Sequence, residues 1–131
     1  MIIVDTNVIV YLVLRSDFTD LSAEVRRRDQ LWAAPMLWRS EFRNVVLGYL
    51  RRGQISLSDT IALLELAESK VESRNVDGAR VIELAEASGC TAYDCEFISL
   101  AERLSVPLVT SDKKLLTAFP KIAVSMEAFT S

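Results

Sequence analysis

The chain has 131 residues, half of them apolar, with 18 acidic against 15 basic side chains and a net charge of −3. That length suits a single domain spanning residues 1–131, because a chain near this size buries roughly 70% of its unfolded surface. There is no histidine, which excludes Ser-His-Asp and Cys-His hydrolysis, paired-histidine nuclease chemistry and histidine-containing zinc sites, and leaves hydrolysis to carboxylates, hydroxyls or lysine with a borrowed metal.

Ile2-Ile3-Val4 is a short β-branched run ending at Asp5 and predicts a buried strand. Asn7–Leu14 has helical length, and Asp17–Arg28 predicts a second, more polar helix. Leu31-Trp32-Ala33-Ala34 before Pro35 reads as another strand. Met36–Arg52 is the clearest helix, with Leu37, Phe42, Val45, Val46, Tyr49 and Leu50 as its apolar face and Gly53 as its stop.

Ser56–Lys70 follows as a helix with Ser56 and Asp59 at capping-box spacing and Ile61, Leu64 and Leu66 as apolar positions. Val71-Glu72-Ser73 fits an edge strand. Asp77–Ser88, stopped by Gly89, and Thr91–Leu104 are two further helices. Pro107-Leu108-Val109 is a strand leading into Thr110-Ser111-Asp112, then a helical turn through Phe119, a break at Pro120 and a last strand near Ile122-Ala123-Val124. Short buried strands alternating with helices give an α/β fold with a mostly parallel sheet flanked by helices. Ligands of such sheets bind beyond the carboxyl ends of the strands.

Cys90 and Cys95 are too few to hold zinc without histidine and read as small apolar helix residues of a reducing compartment. The apolar stretch Ile2–Leu14 is broken by Asp5, Thr6 and Asn7 and is too short to span a bilayer. A soluble cytoplasmic protein with no membrane partner is the expectation. Eight of the 11 arginines lie between residues 15 and 52, a segment of about +3 on a chain whose remainder is about −6. Such a segment is either a phosphate-binding face or a set of solvated helix faces.

Most of the acids read as helix-surface charges, but four stand in unusual company. Asp5 ends an apolar strand, and its competing role is an N-cap, which Thr6 or Asn7 could fill instead. Asp112 repeats the arrangement after Pro107-Leu108-Val109, with Ser111 as a substitute cap. If the two strands are neighbours, these carboxylates converge, and like charges in a dry crevice need a cation. Glu41 sits between Trp38 and Phe42 on an apolar helix, as a partnered acid or a ligand. Asp94 stands three residues after Thr91, a spacing that capping alone explains.

Three stretches together carry a family resemblance: Met1–Val8 with its strand ending Asp-Thr-Asn, Tyr93–Ala101 opening on Tyr-Asp, and Pro107–Leu115 with Thr-Ser-Asp. The chain resembles a PIN-domain ribonuclease, specifically a VapC-like toxin of a type II toxin–antitoxin pair, along its whole length. The resemblance implies a PIN-like fold and an endoribonuclease that leaves a 5′-phosphate and a 3′-hydroxyl. It places Asp5, Glu41, Asp94 and Asp112 on the family's acidic quartet, which holds Mg²⁺ or Mn²⁺. Thr6 and Asn7 fall on polar residues supporting the first acid, and Thr110 on the hydroxyl preceding the last. Many relatives carry a further acid two residues after the last Asp, where this chain has Lys114.

Mg²⁺ takes oxygen ligands and keeps several waters, so a few carboxylates suffice and no histidine is needed. The Arg-rich segment then supplies phosphate contacts to an RNA substrate, with Arg39 and Arg43, one turn apart on the Glu41 helix, as the chosen pair. The toxin assignment implies a cognate antitoxin whose disordered tail folds onto the apolar and basic surface near the pocket. It also implies a homodimer, with Met36–Arg52 and Ser56–Lys70 as candidate contact helices. A haloacid-dehalogenase phosphatase needs a second acid where Asn7 stands, and a receiver domain needs a phosphoacceptor Asp after a strand, whereas Asp59 follows none. The remaining alternative is a PIN-type module that binds RNA or protein without cutting.

Overall fold

A computed structural model describes residues 1–131. Its elements are β1 (Ile2–Val4), α1 (Thr6–Val13), α2 (Thr19–Arg28), β2 (Trp32–Pro35), α3 (Leu37–Arg51), α4 (Leu57–Lys70) and β3 (Val71–Arg74). These are followed by α5 (Gly78–Ser88), α6 (Ala92–Leu104), β4 (Leu108–Val109), α7 (Lys113–Ala118), β5 (Ala123–Val124) and α8 (Met126–Thr130). The fold is α/β, and every strand pairing is parallel, in the order β3-β2-β1-β4-β5.

The chain moves from β1 outward to β3, then crosses back over β2 and β1 to β4 and on to β5. Parallel crossovers are right-handed, so the two opposite directions of travel send their helices to opposite faces. In accord with this, α1 packs against α2, α3 and α4, while α5 packs on α6, which lies across β1, β2 and β4. The direction changes between β1 and β4, where Val4 is paired with Val109. Loops leaving two such strands part to opposite faces and leave a crevice at their carboxyl ends.

Burial explains the strand composition. Ile2, Ile3, Val4, Ala33, Ala34, Leu108 and Val109 are all buried between helical layers, so these strands are continuously apolar rather than alternating. Val71–Arg74 occupies an edge and is the polar strand, with only Val71 buried. Trp38, Phe42 and Val46 form the inward stripe of α3 at helical spacing. Trp38 rather than Leu37 leads that stripe, and its indole N–H donates to Ser73 Oγ at 2.8 Å.

The termini follow local rules. Ser56, Asp77, Thr91 and Ser125 cap their helices with side-chain oxygens. Gly89 ends α5 with φ of 75°, a left-handed conformation that costs glycine little. Two expectations need correction. In α4 the buried positions are Thr60 and Ala67, whereas Ile61 and Leu66 are exposed, because this short-stepped face packs closely under its neighbours. The chain also ends in a helix, α8, that five residues are too few to announce by periodicity; Met126 anchors it and it packs on α2.

Candidate active site

An open cleft of about 150 Å³ lies at the switch point and is lined by Asp5, Thr6, Asn7, Glu41, Asp94 and Asp112, walled by Val45, Phe97 and Leu115. Every helix that contributes enters at the carboxyl edge of the sheet. Asp5 and Asp112 follow β1 and β4, Glu41 is in the second turn of α3 after β2, and Asp94 is in the first turn of α6. No lysine, arginine or imidazole lines the cleft.

Asp5 is both a cap and a cleft residue. Its Oδ1 accepts from the Val8 N–H at 3.0 Å, so it caps α1 itself, and Thr6 and Asn7 do not replace it. Its Oδ2 accepts from the Thr110 hydroxyl and from the Ser111 N–H. Burial pushes the Asp5 carboxyl up to about 6; the bonds from Thr110, Val8 and Ser111 restrain the rise and the Asp112 charge adds to it. A buried carboxylate holding that many donors yet still tending to protonate lacks a counter-charge.

Asp112 is likewise both a cap and a cleft residue. Its Oδ1 accepts from the N–H groups of Lys114 at 2.8 Å and Leu115 at 3.4 Å, capping α7, so Ser111 does not take over this task. Its own N–H donates to Thr110 Oγ1 at 3.0 Å. Thr110 is fully buried and thus links the two acids through one hydroxyl, giving to Asp5 and receiving from Asp112.

Glu41 is half-buried, and its Oε1 accepts from the Thr6 hydroxyl at 2.7 Å. Thr6 therefore supports Glu41 rather than Asp5. Asn7 lines the cleft with an exposed side chain. Asp94 is half-buried; its N–H donates to the Thr91 cap at 3.1 Å, and no backbone N–H donates to its carboxylate. Partial burial and then the Asp112 charge raise its pKa, opposed by Thr91 and by the Lys114 charge.

Glu96, which sequence reasoning left unassigned, is half-buried beside Glu41, and its pKa is raised first by burial and then by the Glu41 charge. Its only signal was its position within the Tyr93–Ala101 stretch, and spacing from Asp94 puts it on another helix face. Ser111 was also missed as a donor to Asp5; a backbone N–H leaves no trace in residue type.

The arginines do not gather at this cleft. Arg15, Arg27, Arg28 and Arg39 pair with Asp20, Glu24, Glu24 and Glu68 respectively. Arg39 Nη2 reaches Glu68 at 2.8 Å, toward α4, and Arg43 Nε donates to the Arg39 carbonyl at 3.0 Å. Neither lines the cleft, because positions two away from Glu41 face elsewhere on a helix.

The donor set fits an oxygen-preferring cation: four carboxylates, an amide and a hydroxyl, with Asp5 and Asp94 raised in pKa first by burial and then by the Asp112 charge. No three acidic side chains are gathered within common reach of one ion in this arrangement. Asp5, Glu41, Asp94 and Asp112 are the residues that would hold such a cation, which keeps several of its waters.

No curated protein sequence matches the chain. Among solved structures it is similar to PAE2754 from Pyrobaculum aerophilum, at 22% identity over 98% of this chain and 92% of that one, with a TM-score of 0.78. A toxin–antitoxin complex from Klebsiella pneumoniae aligns at 17% identity over 96% and 98%, with a TM-score of 0.70. Mycobacterium tuberculosis VapC20, a toxin that cleaves the sarcin–ricin loop, aligns at 12% over 91% and 95%, with a TM-score of 0.68. At these identities the likenesses speak for fold. The PIN-domain family profile matches residues 2–123, nearly the whole chain, and the chain belongs to the PIN-domain family.

Proposed function

We propose that this PIN domain is a divalent-cation-dependent endoribonuclease acting as the toxin of a type II toxin–antitoxin pair. One observation carries the reading: Asp5, Glu41, Asp94 and Asp112, up to 107 residues apart in sequence, line one cleft at the switch point of the sheet without a basic partner among them.

In this reading the four carboxylates hold Mg²⁺ or Mn²⁺, which supplies Lewis acidity toward water and phosphoryl oxygens. Thr110 and Ser111 fix Asp5 by donating to the oxygen that does not cap α1. Thr6 fixes Glu41, and the backbone of α7 fixes Asp112. As water attacks phosphorus a cleft carboxylate would accept its proton, the bond from phosphorus to the 3′-oxygen would break, and that oxygen would take a proton from a neighbouring water; Phe97, Val45 and Leu115 wall the cleft. The products are a 5′-phosphate and a 3′-hydroxyl.

The Klebsiella pneumoniae complex supports an antitoxin partner, because its toxin–antitoxin assembly shares this fold. For a homodimer, Leu57, Ile61 and Leu66 on α4 are exposed apolar side chains available for contact. No helix is long and apolar enough to cross a membrane. Arg43 remains a candidate RNA contact, its guanidinium engaged only with a backbone carbonyl.

The open spacing of the carboxylates favours one rival, a PIN module that binds RNA or protein without cutting. Cleavage mapping on total RNA separates the two. Mg²⁺-dependent cuts that vanish with a chelator and in Asp5→Asn are expected; equal patterns in all three samples would reject the nuclease.

A further inference from the structure

A second concavity shares α7 with the acidic cleft. Asp112 and Leu115 line the cleft, whereas Lys113, Lys114, Thr117 and Ala118 face a shallow, open groove of about 600 Å³ bordered by the turn between α5 and α6 at Ser88 and Cys90. No acid lines this groove. Lys113 and Lys114 are exposed, and neither forms an ion pair, in contrast to Arg15, Arg27, Arg28 and Arg39. Resting on the nuclease reading above, we infer that this groove is a phosphate track that holds the RNA strand beside the cut.

The physical need is plain. A strand entering a cleft of four carboxylates is repelled at every phosphate except the one a cation meets. Neighbouring phosphates therefore require positive charge immediately outside the cleft. Lys114 supplies it at the boundary, close enough to act on Asp94, and Lys113 extends it along α7. Thr117 adds an exposed hydroxyl able to donate to phosphate or sugar oxygens. The groove offers no large apolar side chain, so a peptide segment that folds on binding has nothing there to anchor it. A flexible, sequence-neutral polyanion is the occupant that matches.

The test is the salt dependence of binding of a labelled mixed-sequence single-stranded RNA to the metal-free full-length protein, with chelator present so that the RNA stays intact. Each lost phosphate contact lowers the slope of log Kd against log salt by about 0.7, so Lys113→Gln/Lys114→Gln is expected to lower it by about 1.4. Lys121→Gln, in the turn before β5 and outside the groove lining, is expected to leave it unchanged. Lys113, Lys114 and Lys121 are all exposed, and unchanged thermal unfolding checks that the variants fold.

An unaltered slope in the double variant overturns the inference, and so does an equal fall in Lys121→Gln or a wild-type protein that binds no RNA at low salt. Loss of binding to an acidic protein partner with an unaltered RNA slope would assign the groove to that partner instead. Failure here is separable from failure of the nuclease: Mg²⁺-dependent cleavage with an unaltered slope removes only the groove, and a lowered slope without any cleavage removes only the nuclease.

Discussion

Thr110, at the end of β4, donates its hydroxyl hydrogen to Asp5 Oδ2 at the end of β1, joining residues 105 apart in the chain. The same oxygen of Thr110 receives the Asp112 N–H. One buried hydroxyl thereby sets the mutual position of two acids that the parallel pairing of β1 and β4 has brought together. Thr110→Val keeps the shape and removes the hydroxyl. It should cost about 1 to 3 kcal/mol near neutral pH, because Asp5 is then short of a donor. The cost should shrink in mild acid, where Asp5 protonates, and Thr110→Ser should restore most of it. Chemical denaturation at two pH values measures both effects.

The raised pKa of Asp5 gives stability a direction with pH. Folded Asp5, at about 6 against an ordinary 3.8, binds its proton more tightly than the unfolded chain does. Its stabilising contribution is full below about pH 4 and is lost as pH rises through about 6, some 3 kcal/mol for a shift of about two units. Asp94 and Glu96 shift in the same direction. The metal-free protein should therefore lose stability between about pH 4 and pH 6 from this cluster, and Asp5→Asn should flatten the profile. Mg²⁺ competes with the proton, so its protection in thermal unfolding should grow through about pH 6.

Under the proposed nuclease reading, Thr6 bears on activity through Glu41. Its hydroxyl holds Glu41 Oε1 at 2.7 Å, and residues that orient metal-binding carboxylates typically contribute 10- to 100-fold to affinity or activity. Thr6→Val is expected to cut Mg²⁺-dependent cleavage by about tenfold or more, with Thr6→Ser close to wild type. A weaker Mg²⁺ dependence alongside the loss distinguishes positioning of Glu41 from a general loss of folding.

Asp94 separates function from stability. Thr91, not Asp94, caps α6, and the Asp94 carboxylate is pressed by Asp112. Asp94→Asn should leave thermal stability unchanged or raise it by about 0.5 to 2 kcal/mol, while cleavage falls by about 100-fold or more. A destabilised protein with intact cleavage would reverse the assignment.

Asp112 caps α7 and, in the proposed reading, also serves as a cation-holding acid, and different substitutions isolate the two roles. Ser keeps a capping oxygen for α7 and loses the charge, whereas Ala loses both. Asp112→Ser should retain stability and lose activity; Asp112→Ala should lose activity together with about 1 kcal/mol of stability. Unfolding curves and cleavage assays on the pair of variants decide between cap and ligand.

Local sequence determined the elements and much of the cast of the site. Continuous apolar runs at Ile2–Val4 and Leu108–Val109 could be satisfied only as buried parallel strands, and Ser56, Asp77, Thr91 and Gly89 marked helix ends by their own chemistry. The absence of histidine and the three quoted stretches pointed to carboxylate chemistry before any distance was known. Tertiary structure decided what each polar group does for another. Whether Asp5 and Asp112 merely cap helices depended on strand order, since only the pairing of β1 with β4 sets them facing one crevice. The bond from Thr6 to Glu41, the pressure of Glu41 on Glu96 and the diversion of Arg39 to Glu68 all join residues distant in sequence. Charge and hydrogen bonding fall off within a few ångströms, and residue order along the chain carries no record of which distant side chain will stand within that range.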